Sequence, residues 1–253
     1  MVQTFHSEDL EQLRVDGSVA GVRPVQISHI PTLEDLLKAG VHFGHRTSKW
    51  YPKAKPFIHS VRAGVHVIDL EQSQKGLKKA CEFLGDISAH NGTILFVGTK
   101  KQAKKAIIMA AKKAQMPYVT ERWLGGTFTN FHQIVKLGKR FRELQALEAG
   151  PDFQKYTKKE QAHFADEKAY LEKKVGGILG MERLPQAVVI VGLNEEETAV
   201  REAISAGIPI VALVDTNTDP TPVHYPIPAN DDAVKSIEII LMTLADTIVA
   251  NQK

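Results

Sequence analysis

Thr93-Ile94-Leu95-Phe96-Val97-Gly98-Thr99-Lys100 is the stretch on which the fold turns. Its apolar residues follow one another without polar alternation, which predicts a strand buried on both faces. Asn91-Gly92 precedes it as a turn. A helix over 100–114 follows, with a lysine-dense outer face and Ala103, Ile107, Ala110 and Ala111 inside. Outward in both directions the pattern repeats. Val65 to Leu70 reads as a β-branched strand, and a helix over 71–90 carries Leu77, Ala80, Cys81, Leu84 and Ile87 on one face. Strands are expected over 187–191 and 208–214, with helices over 195–206 and 232–249. Alternating strands and helices with wholly apolar strands predict an α/β fold, a parallel sheet covered by helices on both faces.

The middle of the chain breaks this rhythm. Ile134, Leu137, Phe141 and Leu144 recur at three, four and three, and Phe164, Leu171, Val175 and Ile178 at seven, four and three. Gly150-Pro151 separates the two runs. The spacing predicts an antiparallel coiled-coil helical hairpin inserted over 129–175, with a narrow seam whose base packs on the sheet. The α/β domain is then 29–128 plus 176–253. Residues 1–28 lack a clear period and read as a flexible N-terminal extension. Thr32 with Asp35 predicts the cap of a short helix that Gly40 stops.

Composition narrows the function. No apolar run reaches the ~18 residues of a membrane span, no secretory pattern opens the chain, and Cys81 is the only cysteine, so the cytoplasm is expected. The net charge of +3 conceals an asymmetry. Nine lysines lie between Lys75 and Lys113 against Glu82 and Asp86, whereas ten acids follow Gln186 against Arg201, Lys235 and Lys253. Such polarity directs one face toward an anion and the other toward water or a basic neighbour.

The cationic signal is densest from Lys38 to Arg62, where Lys38, Arg46, Lys49, Lys53, Lys55 and Arg62 occur with no acid. Trp50, Tyr51 and Phe57 are interleaved, and Pro52 and Pro56 argue against an α-helix. A rigid basic loop bearing aromatic rings suits a phosphate polymer: cations release condensed counterions and rings stack on unpaired bases. The alternative is a solvated basic loop. Lys100, Lys101 and Lys104 open the next helix, where backbone N–H groups can meet phosphate. Arg122, Trp123, Thr127 and Asn130 surround Gly125-Gly126 and supply donors and a ring; the alternative is a structural elbow with Trp123 in the core.

Metal and catalytic signals are weaker. His42 and His45 have no converging partners in sequence. Asp215, Asp231 and Asp232 could hold a divalent ion, but turn formation and helix capping explain them equally. No cofactor is expected. Neither a Walker loop nor a dinucleotide fingerprint nor a Ser/His/Asp set is present.

Three segments together resemble one family: Leu37–His45 with Trp50–Ile58; Arg122-Trp123-Leu124-Gly125-Gly126-Thr127-Phe128-Thr129-Asn130; and Val214–Asn217 with Tyr225–Asp232. They are similar to the universal small-subunit ribosomal protein number two, in its bacterial form, over residues 31–250. The extension before Ile30 departs from the family pattern, as does Ala229, where Gly is common. The resemblance implies a non-catalytic structural constituent of the small ribosomal subunit. It implies partners: ribosomal RNA and neighbouring ribosomal proteins, among them the large multi-repeat protein that helps recruit messages. No membrane contact and no homo-oligomer are expected. The rival reading is an α/β enzyme that holds a phosphorylated metabolite at Thr99-Lys100 and the 215–232 carboxylates. A DNA-binding role lacks a readable recognition helix.

Overall fold

The computed structural model describes residues 25–27 and 29–252. Most of the expected N-terminal extension lies outside the described residues. Its last part is not free: the Gln26 N–H donates to Asn251 Oδ1 (2.9 Å), and Asn251 Nδ2 donates to the Gln26 carbonyl (2.7 Å).

A short helix α1 (Leu33–Lys38) opens with the expected capping box, Asp35 N–H on Thr32 Oγ1 and Thr32 N–H on Asp35 Oδ2. Three strands follow: β1 (Phe43–Arg46), β2 (Ile58–Arg62) and β3 (Val65–Ile68). They form an antiparallel sheet of order β1-β3-β2. Two expectations are corrected here. The stretch 46–62 is not a loop, and Val65–Ile68 does not join the parallel sheet. Pro52 and Pro56 exclude an α-helix, yet Pro52–Phe57 still forms a 3-10 turn, as does Thr47–Lys49. A 3-10 turn is short and tolerates the missing donors. Ala63 and Gly64 both take positive φ (48° and 75°) between the paired residues Arg62 and Val65. This is the geometry of a two-residue hairpin, without the Asn-Gly signal that announces one.

The parallel sheet contains β4 (Ile94–Val97), β5 (Tyr118–Val119), β6 (Ala187–Ile190), β7 (Ile210–Val214) and β8 (Tyr225–Pro228), in the order β5-β4-β6-β7-β8. All four pairings are parallel. Sequence reading missed β5 and β8. β8 carries Pro226 and Pro228, which a strand accepts only at a sheet edge, and the edge is where it lies.

Successive side chains point to opposite faces, and the core divides accordingly. Ile94, Phe96, Val189, Val211, Leu213 and Ile227 pack against α2 (Leu70–Ala89), α3 (Lys104–Lys113) and α7 (Val234–Asn251). Gly76 brings α2 so near β8 that a Cβ there would sit 2.5 Å from the Pro226 carbonyl oxygen. On the other face Leu95, Val97, Val188, Ile190, Ile210 and Val214 meet α6 (Glu197–Ser205) and the segment Trp123–Phe128.

That second face is also covered by the inserted helices α4 (Phe131–Ala149) and α5 (Lys158–Val175), joined through a 3-10 turn at Pro151–Lys155. They pack on each other, and Arg140 bridges to Glu167 through two hydrogen bonds (2.9 and 2.8 Å). Lys168 pairs with Glu148. Ile134, Phe141, Leu144, Leu171 and Val175 lie in the same apolar cluster as the sheet residues Val188 and Ile190. The helix pair therefore belongs to the cover of the core. Leu144 is 2 % exposed. Leu144→Ala should cost about 2–5 kcal/mol through lost burial and a residual cavity. In urea it should lower the midpoint of the whole α/β transition; a shift confined to a separate helical transition would show that the two cores are independent.

Candidate nucleic-acid interface

The antiparallel sheet presents the cations. Arg46 ends β1, Lys49 and Lys55 lie in the 3-10 turns, and Arg62 ends β2. All four are exposed, and none has an ion-pair partner among the described residues. Trp50 is 37 % exposed, its ring tilted against His66 at 5.4 Å. Lys53, expected with these, is engaged elsewhere: its Nζ lies 3.3 Å from Asp219 and 2.9 Å from Thr221 Oγ1. Tyr51 donates to the same Asp219 (3.0 Å). Burial would raise the Asp219 carboxyl, but donors from Thr221, Tyr51 and Lys53 outweigh it and hold it down at about 2.

Behind this sheet lie the carboxyl ends of the parallel strands, where an α/β protein usually binds its ligand. Here the space is taken by charges of the chain itself. Lys100, its side chain 13 % exposed, sits 2.7 Å from Asp231, 2.8 Å from Asp232 and 3.9 Å from Glu195. Burial alone would lower the Lys100 ammonium; the Asp231 and Asp232 carboxylates override it and push it up to about 12. Asp231, almost wholly enclosed, is raised to about 6 by burial against the pull of Lys100. His45 reaches into the same cluster, Nδ1 at 3.0 Å from Asp215 and Nε2 at 3.2 Å from Asp232. The Asp215 contact raises its imidazole above the usual value. Thr99 N–H, the donor that could meet a phosphate, gives its hydrogen bond to the buried Glu196 carboxylate (2.6 Å). Lys100, expected among the RNA-binding lysines, is thus largely buried and paired with carboxylates of the chain. Asp215, Asp231 and Asp232, the metal candidates, are occupied by His45 and Lys100, and Asp231 and Asp232 do not cap α7. Among the described residues no group of His, Cys, Asp and Glu is arranged to hold a metal ion.

The Gly-rich elbow resolves in the same direction. Trp123 is 8 % exposed and packs edge-on to Phe128 (4.9 Å). Its indole N–H donates to Glu202 Oε1 (3.0 Å), joined there by the Gly126 N–H (2.8 Å). The Phe128 and Thr129 N–H groups donate to Glu202 Oε2 at 2.9 and 3.3 Å. Gly126 holds φ +89°, open to glycine at little cost, and this aims its N–H inward. Thr127 is buried and donates to the Leu124 carbonyl (2.6 Å). Trp123 thus faces an internal carboxylate and Thr127 a backbone carbonyl, the arrangement of a structural elbow. Arg122 and Asn130 stay exposed beside it, as does Lys101 at the start of α3; Lys104 pairs with Glu121 (3.0 Å). Glu196 and Glu202 escaped sequence reading. The available signal was an acid on the inward face of α6, in phase with Ala199 and Ala203.

Burial pushes the Glu202 carboxyl up, and its donors from Phe128, Trp123, Gly126 and Thr129 outweigh this, so it lies below the usual 4.5. A lowered folded value stabilises the protein above the ordinary carboxyl range and loses that contribution as pH falls through the folded value. Glu202→Ala, which strands those donors, should cost on the order of 3 kcal/mol at pH 7. Its urea midpoint should fall less steeply below about pH 4.5 than the parent's; parallel acid profiles would remove Glu202 from this role.

The model of the family described as ribosomal protein S2 matches residues 36–251. A relative from Acidothermus cellulolyticus, named small ribosomal subunit protein uS2, is 49% identical over 220 residues, 87% of this chain and 80% of the relative. Its namesake from Bifidobacterium longum (strain DJO10A) is 49% identical over 218 residues, 86% of this chain and 78% of the relative. Another of that name, from Chloroflexus aurantiacus, is 44% identical over 223 residues, 88% and 94% of the two chains. With the match running from α1 to the end of α7, and with its ligand crevice closed by its own ions, this chain belongs to the ribosomal protein S2 family.

Proposed function

We propose that this protein, a structural and non-enzymatic constituent of the small ribosomal subunit by its family, is held there by ribosomal RNA bound to the face of the antiparallel sheet. One observation carries the reading. Arg46 and Arg62 at the strand ends and Lys49 and Lys55 in the 3-10 turns between β1 and β2 are exposed and have no ion-pair partner among the described residues, while Lys53, Lys100 and Lys104 are neutralised by carboxylates. Unpaired cations gain by displacing counterions from phosphate, whereas paired ones must first break an ion pair. Trp50 adds a ring for an unpaired base. Arg122, Asn130 and Lys101 form a second exposed group.

The inserted pair α4 and α5 acts as a coiled-coil hairpin whose outer turns remain available to neighbours. Those neighbours are other ribosomal proteins, the multi-repeat message-recruiting protein among them. The acidic second half of the chain faces solvent or such basic partners. The protein works in the cytoplasm as a single copy per subunit, without a cofactor or a membrane.

The double variant Arg46→Glu with Lys55→Glu should lose co-sedimentation with small subunits while keeping the parent's urea midpoint, because both side chains are exposed and unpaired. Each phosphate contact contributes roughly 0.7–0.9 to the slope of log K against log salt. Association of the parent should accordingly weaken steeply as salt rises. Normal incorporation of the double variant would take the sheet off the RNA.

A further inference from the structure

We infer that the outer row of α3 is a second, independent RNA contact, running along a sugar–phosphate backbone. The inference rests on the reading of this chain as an RNA-bound subunit protein. Lys101, Lys105, Met109 and Lys112 follow one another at four, four and three residues, which lines them up on one side of the helix. All four are exposed, Met109 at 40 %. α3 and the turn that leads into it contain no acidic residue. The helix's other cations are drawn sideways: Lys104 to Glu121 and Lys113 to Asp246, on the flanks. Lys101, Lys105 and Lys112 have no such partner among the described residues.

The arrangement fits one kind of partner. From Lys101 to Lys112 the rise is about 16 Å at 1.5 Å per residue, a straight line of point charges on long flexible stems. A lysine ammonium is a compact charge without the planar fork that reads a base edge or clamps a carboxylate in two places. Three of them in a row suit repeated phosphates, whose spacing the stems can follow. Contacts of this kind position a protein on RNA and carry no sequence information. The row lies on a helix packed against the parallel sheet, whereas Arg46 and Arg62 end strands of the antiparallel one, so either contact can fail without the other.

The chain's chemistry provides the test. Cys81 is its only cysteine, wholly buried, and burial pushes its thiol up to about 11, so it stays protonated and unreactive. A thiol placed on the surface of the full-length protein can therefore carry a hydroxyl-radical source as the only modified site. Met109→Cys, Ser48→Cys in the 3-10 turn that follows β1 and Thr198→Cys on the exposed side of α6 would each be assembled into small subunits. Met109→Cys should cut ribosomal RNA well above the background set by Thr198→Cys, at positions distinct from those cut from Ser48→Cys. Cuts from Ser48→Cys alone would overturn the α3 contact and leave the sheet's role standing; cuts from neither would sink both. As a second measurement, Lys105→Gln with Lys112→Gln should lower the salt slope of binding to naked small-subunit RNA by roughly 0.7–0.9 per lysine. An unchanged slope with impaired subunit incorporation would assign the row to an acidic protein neighbour and reject the RNA contact.

Discussion

Lys100 stands at the junction of everything that gives this molecule its shape. It leaves the end of β4, and its ammonium lies 2.7 Å from Asp231 and 2.8 Å from Asp232, between β8 and α7. His45 of β1 leans on Asp215 and Asp232 of the same group. Two sheets that share no strand are thus joined through one cluster of opposite charges. Removing one member of a buried pair strands the other, typically at 3–5 kcal/mol, so the cluster is held as a unit. Thr216 completes the joint: its hydroxyl accepts the His45 N–H (2.8 Å), and its carbonyl accepts the Tyr51 N–H (2.7 Å).

The same cluster explains why this α/β domain is a scaffold. The crevice beyond the strand ends is where such folds gather ligands, and here Lys100 and the Thr99 N–H already have carboxylate partners in the chain. Glu196 takes the Thr99 N–H, and Glu202 takes donors from four residues of the elbow. Both acids come from α6 or its first turn. A helix packed on the second face of the sheet thus fills two anion-binding turns with its own carboxylates. The exposed cations lie outside the crevice, on and beside the small sheet and along α3.

Much of the architecture was legible. The unbroken apolar runs Ile94–Val97 and Ile210–Val214 are central strands of the parallel sheet, because two covered faces demand apolar residues in both directions. The helical periods were legible for the same reason, since one side of each helix is core. Elements held by their surroundings were not. β5 has two residues, and β8 reads Tyr-Pro-Ile-Pro; each exists because a neighbouring strand offers it hydrogen bonds. The hairpin Ala63-Gly64 forces an alanine to φ 48°, which local preference alone would reject.

For the site, the sequence by itself determined the amount and placement of positive charge along the chain, and the family motifs that carry it. It could not tell a free lysine from a paired one. Lys53 and Lys55 are neighbours in one turn, yet Asp219, far along the chain, neutralises the first and leaves the second exposed. Trp123 and Trp50 both sit in basic, glycine- or proline-bearing stretches, and only the fold turns one onto Glu202 and leaves the other at the surface. The reason is one of range. Periodicity and turn chemistry act between residues a few positions apart, whereas an ion pair or a buried carboxylate is made by segments that only the folded sheet brings together.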